Sequence, residues 1–176
     1  MLNSYGHPVP VIGGALQPAG GRWRAKILST AFDDARDRIV LDLGGAYSNL
    51  VSESDSLVRT VDFTRGDRPS VSISDVADFG VPRTFESAFL TCGDIERLPD
   101  GKSVRITRSG VAVTGRVDVR GEVTWRFEEK TVPNNEERPL KRLAVVFDRP
   151  VARASATWNF CGAACGWTAH RQGGGQ

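Results

Sequence analysis

Residues 57–76 read LVRTVDFTRGDRPSVSISDV, and the fold class is decided by this stretch. In residues 57–63, Val58, Thr60 and Asp62 fall on one face of an extended chain, opposite the side chains of the odd-numbered residues. A polar turn at residues 64–67 separates this segment from a second alternating segment at residues 71–76. Two alternating segments joined by a short turn predict a pair of antiparallel strands.

The same alternation recurs every ten to fifteen residues along the chain, whereas helical periodicity is almost absent. Gly44-Gly45, Pro82 and Pro99-Asp100-Gly101 mark strand ends and turns. The predicted strands cover residues 23–32, 38–43, 57–63, 71–76, 85–92, 96–98, 103–107, 111–119, 123–130, 140–147 and 151–158. We therefore predict an all-β protein of about ten or eleven antiparallel strands. So many strands close into a barrel or form two packed sheets, and we expect the antiparallel β-sandwich.

The chain has 176 residues and a mass of 19.1 kDa, which fits one domain of ordinary composition. We assign residues 1–160 to the β-sandwich domain and residues 161–176 to a flexible, Gly-rich tail. Residues 133–139 (PNNEERP) read as a long surface loop within the domain. A domain of this size buries enough surface to need neither disulfides nor a structural metal for its stability.

Charge and composition argue against several classes of partner. The 23 basic and 21 acidic residues are interspersed and give a net charge of +2, which is not the pattern of a nucleic-acid-binding protein. No apolar run reaches the roughly 20 residues of a membrane-spanning helix. The first residues lack the basic and long apolar regions of a signal peptide. We expect neither nucleic acid nor membrane as a partner.

Few residues are available for histidine- or cysteine-based chemistry. His7 stands between Gly6 and Pro8, a setting typical of a loop histidine that hydrogen-bonds the backbone. Cys161, Cys165 and His170 have C-x3-C-x4-H spacing, which departs from the usual zinc-finger spacing and fits either a metal site or a flexible end. Cys92 reads as a small buried apolar residue. The sequence contains neither G-x-S-x-G nor a phosphate-binding glycine loop.

Several segments together resemble the carboxy-terminal β-sandwich of the heparinase II/III-like polysaccharide lyases. The resemblance covers about residues 3–158. In chain order the segments are NSYGHPVPVIGGALQ, LDLGGAY, LVRTVDFTRG, VSISDVADF, FESAFLTC and DGKSVRI. In that family an α/α toroid precedes the β-sandwich, and the two together form a cleft for acidic polysaccharide.

The best local match is His7 with Gln17, which is similar to a family segment whose histidine binds zinc inside the sandwich. The resemblance makes His7 the candidate zinc ligand. In the family the partner ligands are a histidine and an aspartate from earlier strands, and this sequence contains neither motif that carries them. Zinc is therefore implied with an incomplete ligand set.

Family catalysis is eliminative, and the resemblance implies no catalytic residue in this chain, because most of the reacting groups belong to parts that the sequence does not contain. Tyr5, two residues before His7, is the candidate for contact with substrate. The resemblance implies that the chain is inactive without a toroid on a partner domain or chain. It also implies a periplasmic or secreted location, and the missing upstream strands imply self-association through exposed sheet edges.

A second hypothesis is a non-catalytic β-sandwich that binds glycans or serves a structural role. Arginines at positions 59, 65, 68, 105, 108, 116 and 120 supply groups that bind carboxylates or sulfates in a bidentate manner. The alternative interpretation is that these arginines are ordinary outward-facing strand residues.

Overall fold

A computed structural model describes residues 4–50, 52, 54–121, 123–132 and 139–162. Its regular structure is almost entirely β, with short 3-10 turns at Ser4–Gly6 and Gly44–Ala46. Among the described residues, no helix has the length and apolar character needed to cross a membrane.

Twelve strands within the described ranges form two antiparallel sheets. The four-stranded sheet has the order β1 (Val11–Ile12), β6 (Phe85–Thr91), β11 (Leu140–Phe147) and β10 (Trp125–Val132). The eight-stranded sheet has the order β2 (Lys26–Phe32), β3 (Arg36–Asp42), β4 (Ser56–Thr64), β5 (Ser70–Arg83), β12 (Val151–Gly162), β9 (Val111–Arg120), β8 (Ser103–Arg108) and β7 (Asp94–Arg97). The prediction of an all-β antiparallel sandwich is confirmed.

The core lies between the sheets and is centred on Trp158 of β12, whose side chain is fully buried. From the four-stranded sheet, Phe89 meets the Trp158 ring edge-on with centroids 4.8 Å apart, and Phe127 stacks on it at 5.9 Å. Phe160, two residues along β12, stacks beside Trp158 at 6.1 Å. Aromatic side chains from both sheets thus hold the two layers together.

Besides shifts of up to two residues at other strand ends, four details differ from the predicted elements. The short strand β1 brings the described strands to twelve, and two residues are too few to show alternation in the sequence. β2 begins at Lys26 instead of residue 23, and all of its side chains are exposed. β5 continues through Pro82 to Arg83, because a proline is tolerated near the end of a strand. β12 extends to Gly162, so Cys161 of the predicted tail lies in a strand, while residues 163–176 lie outside the described residues.

The predicted strands at residues 23–32 and 38–43 are present as β2 and β3, which pair as a hairpin. After β3 the chain turns at Gly44-Gly45, where it passes close to the segment before β2. A Cβ atom added at Gly45 would lie 2.7 Å from the carbonyl oxygen of Arg24, so no larger residue fits there.

Candidate functional site

Residues 4–17 carry both site residues singled out from the sequence, and buried or half-buried side chains of the eight-stranded-sheet half hold this segment in place. Three of these side chains donate hydrogen bonds to backbone carbonyls at alternate positions. They are Arg59 to Pro8, Tyr47 to Pro10 at 2.6 Å and Asn49 to Ile12 at 2.8 Å. Gln17 closes the segment, because its backbone N–H donates to Ser4 Oγ at 2.8 Å. The segment is therefore fixed at both ends and along its length.

Arg59 belongs to a buried ionic network. Its Nε and Nη2 atoms donate to the two carboxylate oxygens of Asp75 at 2.7 and 2.8 Å. Ser87 of the opposite sheet donates to Asp75 Oδ2 at 2.7 Å. The Asp75 carboxylate is fully buried, so these three donors replace the water that it loses on folding. This arginine is a structural residue and does not face a ligand.

Tyr5 lies over a second buried arginine on the outer face of the four-stranded sheet. The guanidinium carbon of Arg142 is 4.6 Å from the centre of the Tyr5 ring, a cation–π contact. Only 2% of Arg142 is exposed, and its Nη1 atom donates to Glu86 Oε2 at 3.0 Å. Its Nε and Nη2 atoms are buried without a hydrogen-bond partner. Unused donors of this kind are unusual in a folded interior.

Lys130 and Glu128 complete the group around Tyr5. In the sheet register, Lys130 of β10 lies directly opposite Arg142 of β11. Its Nζ atom is 2.6 Å from Glu128 Oε1, and this hydrogen bond raises the pKa of Lys130 and lowers the pKa of Glu128. Lys130 also hydrogen-bonds to Tyr5. We call Tyr5, Glu86, Glu128, Lys130 and Arg142 the Tyr5 cluster.

The Tyr5 cluster combines two ion pairs, Lys130 with Glu128 and Arg142 with Glu86, with the half-buried ring of Tyr5. Lys130 is about half exposed and supplies an ammonium group, while the half-buried Tyr5 supplies a ring face and a hydroxyl. Glu86 and Glu128 balance the charges of Arg142 and Lys130. The sequence predicted only Tyr5 as a binding residue, because the other members of the cluster are brought together by the register of β6, β10 and β11. The one available signal was a run of charged residues, Lys141-Arg142, inside an otherwise apolar strand.

His7 follows the first 3-10 turn, and its side chain is exposed. Its backbone N–H donates to the carbonyl of Ser4 at 3.1 Å. Within the described ranges, no group of three or more His, Cys, Asp or Glu residues is arranged to hold a metal ion. These residues therefore do not make a zinc site around His7 by themselves.

Of the other cysteine and histidine candidates, Cys161 is buried in β12 and Cys92 is half-buried after β6. Cys92 is a free thiol. Cys165 and His170 lie outside the described residues, so the C-x3-C-x4-H spacing stays a prediction.

Most of the arginines that suggested an anion-binding surface are paired with nearby acids. Arg65 pairs with Asp37, Arg105 with Glu96 at 2.9 Å, and Arg116 with Asp118 at 3.5 Å. Arg120 and the ion pair of Arg153 and Asp78 line a shallow cavity of about 280 Å³ on the outer sheet face. This pattern favours the interpretation as ordinary outward-facing strand residues.

Comparison with solved structures identifies the architecture. The fold is that of a heparinase III segment. One heparinase III gene product superposes with a TM-score of 0.66 at 8% identity, over 88% of this chain. The heparan sulfate lyase HepC from Pedobacter heparinus superposes with a TM-score of 0.62 at 14% identity, over 89% of this chain. A further heparinase III crystal structure gives 0.61 at 14% identity.

The aligned region makes up only 23% of the heparinase III chains and 24% of HepC. No protein-family model and no curated protein matches the sequence. At these identities the heparinase III likeness shows a shared β-sandwich fold, and it supports the fold implied by the sequence resemblance.

Proposed function

We propose that this chain is the β-sandwich part of a heparinase II/III-like polysaccharide lyase, which cleaves uronate-containing acidic polysaccharide by elimination. The observation that supports the proposal is the heparinase III fold over 88% of the chain. Because the aligned region is about a quarter of those proteins, the proposal includes an α/α toroid, on this or another polypeptide, as the partner that completes the cleft.

Elimination from a uronate requires a base at the C5 proton, a group that neutralises the carboxylate, and an acid for the departing glycosidic oxygen. We assign none of these catalytic roles to residues of this chain. Tyr5 and Lys130 are proposed to contact the polysaccharide, since a ring face and an ammonium group suit a sugar ring that carries an anionic substituent.

Zinc enters this proposal only through His7. An exposed imidazole is free to bind zinc, but the remaining ligands would have to come from residues beyond those described. A lyase of acidic polysaccharide also acts where its substrate is found, so the proposal includes a periplasmic or secreted location.

The second candidate is a non-catalytic glycan-binding module. The observation that favours it is the Tyr5 cluster itself, which places an exposed ammonium group near an aromatic ring. The two candidates differ in one respect: the lyase part needs the toroid for function, whereas the module binds glycan alone.

A lyase assay tests the first candidate. The purified chain is incubated with heparan sulfate, heparin, chondroitin sulfate and alginate while the ultraviolet absorbance of unsaturated uronate products is followed. We expect no rise for the chain alone, and a rise when a heparinase III-type toroid domain is added. A rise in absorbance without the toroid contradicts the proposal that the chain needs a toroid for activity. No rise in absorbance in any combination contradicts the lyase proposal.

A binding assay on the same immobilised polymers tests the second candidate. Salt-sensitive retention of the chain on one polymer, weakened about three- to ten-fold by Lys130→Gln or Tyr5→Ala, supports glycan binding by the Tyr5 cluster. Lys102→Gln removes an exposed lysine from a distant turn and serves as the matched control. Equal losses for Lys102→Gln and Lys130→Gln indicate non-specific charge binding and contradict the site.

A further inference from the structure

Among the described residues, β2 forms one edge of the eight-stranded sheet and pairs with β3 alone. Its seven residues, KILSTAF, are all exposed. The exposed fractions are 69% for Ile27, 55% for Leu28 and 63% for Phe32. An edge strand with unpaired backbone groups and large exposed apolar side chains is a template for pairing with another strand.

Ile27 and Phe32 of β2 continue the inner face of the sheet. Ile27 lies opposite Leu41 of β3, and Leu41 packs against the core. Phe32 lies opposite Asp37, which pairs in turn with Phe63 of β4, itself 36% exposed. The four-stranded sheet covers the middle of this face but leaves its β2 end open. The open end is an apolar surface next to an unpaired strand.

Charge along the edge is ordered in one direction. Arg24 lies before β2 and Lys26 begins it, whereas Asp33 and Asp34 follow its end, where Asp33 Oδ1 also accepts hydrogen bonds from the backbone N–H groups of Ala35 and Arg36. All four residues are exposed. If two such strands paired in parallel, like charges would face each other. If they pair antiparallel, the basic start of each strand faces the acidic end of the other, and each contact occurs twice.

We propose that two copies of this chain pair through antiparallel β2 strands about a two-fold axis near Ser29 and Thr30. The pairing extends the two eight-stranded sheets into one continuous sheet. It places Lys26 of each copy beside Asp33 and Asp34 of the other, and Ile27 beside Phe32. The β-bulge between Ile27 and Ser29 shortens the regular part of the edge. The dimer is therefore expected to form reversibly and to depend on protein concentration.

Charge-swap variants of the whole chain test this proposal by sedimentation equilibrium over a range of protein concentrations. Lys26→Glu and Asp34→Lys each place like charges across the axis, and each should weaken dimerisation by about ten-fold. A mixture of the two single variants restores opposite charges at both contacts, so the mixed dimer should recover wild-type affinity. Because both side chains are exposed, circular dichroism should show the same fold for both variants.

Lys102→Glu is the matched control, since it makes the same charge change on an exposed turn far from β2 in the sequence. It should leave dimerisation unchanged. A wild-type chain that stays monomeric at every concentration overturns the proposal. The proposal is also overturned if the single variants dimerise as strongly as the wild type, or if their mixture dimerises no more strongly than either variant alone.

Discussion

Two buried arginines in this sandwich have opposite surroundings. Each of the three guanidinium nitrogen atoms of Arg59 donates a hydrogen bond. Two of them donate to the Asp75 carboxylate, and the other donates to the carbonyl of Pro8. Within the described residues, Arg142 pairs with Glu86, and two of its buried nitrogen atoms have no hydrogen-bond partner. Desolvating a guanidinium group is costly unless its donors are satisfied, so removing a partner of Arg59 should destabilise the fold, whereas Arg142 already carries part of that cost in its two unpartnered nitrogens.

The Asp75 carboxylate should be among the most sensitive side chains for stability. Asp75→Ala leaves the Arg59 charge buried without its partner, and we expect the free energy of unfolding to fall by about 3–5 kcal/mol. Urea denaturation followed by circular dichroism measures this change. The control is Asp78→Ala in the same strand, which breaks an exposed ion pair with Arg153 and should cost at most about 1 kcal/mol. Equal costs for the two variants would contradict the buried network.

Tyr47 should make stability depend on alkaline pH. Burial raises the pKa of its phenol above the ordinary value of 10.0, so the folded state retains a proton that the unfolded chain releases. Its contribution is therefore complete below about pH 10 and is lost as pH rises further, by up to about 1.4 kcal/mol per pH unit. Urea titrations at about pH 9 and about pH 11 compare the wild type with Tyr47→Phe, in which this part of the loss should vanish. A wild-type slope in Tyr47→Phe would refute the assignment.

At the scale of single strands, alternation predicts most of the elements but not where each strand lies in its sheet. β4 and β5 follow the alternation of residues 57–76, and Arg59 and Asp75 meet because they share a register row on the inner face. The alternation in residues 23–32 predicted a strand, which is present as β2, but it did not show that β2 would be exposed on both sides. Its burial depends on what the opposite layer covers, and that information is absent from a local pattern.

Gly115 lies where two neighbouring strands pack too closely for a larger side chain. It lies in β9 opposite Phe160 of β12, and an added Cβ atom would lie 2.7 and 2.9 Å from two atoms of the phenylalanine ring. We expect Gly115→Ala to lower the free energy of unfolding by about 1–3 kcal/mol, with part of this recovered in combination with Phe160→Leu. Thermal and urea unfolding measure both effects. Gly162→Ala in β12 meets no atom within 4 Å and should be nearly neutral; a neutral Gly115→Ala would contradict the packing.

At the scale of the whole molecule, the sequence predicts two antiparallel layers but not their division into four and eight strands. Composition and turn spacing predict the fold class, because the number of strands and the short loops between them allow few architectures. The Tyr5 cluster was predicted only through Tyr5, since Glu86, Glu128 and Arg142 are brought together by pairing between strands far apart in sequence. Contacts between residues on different strands cannot be predicted until the pairing of those strands is known.

The anchoring of residues 4–17 determines how a ligand would meet the Tyr5 cluster. Donors at alternate carbonyls hold the segment behind Tyr5, and the ring already rests on Arg142 before any ligand arrives. A ligand therefore encounters a preorganised surface and does not have to order a loop on binding. The conformational entropy of this segment is lost during folding and not during binding. A ligand at the Tyr5 cluster would therefore bind more tightly than it would to the same residues on a disordered segment.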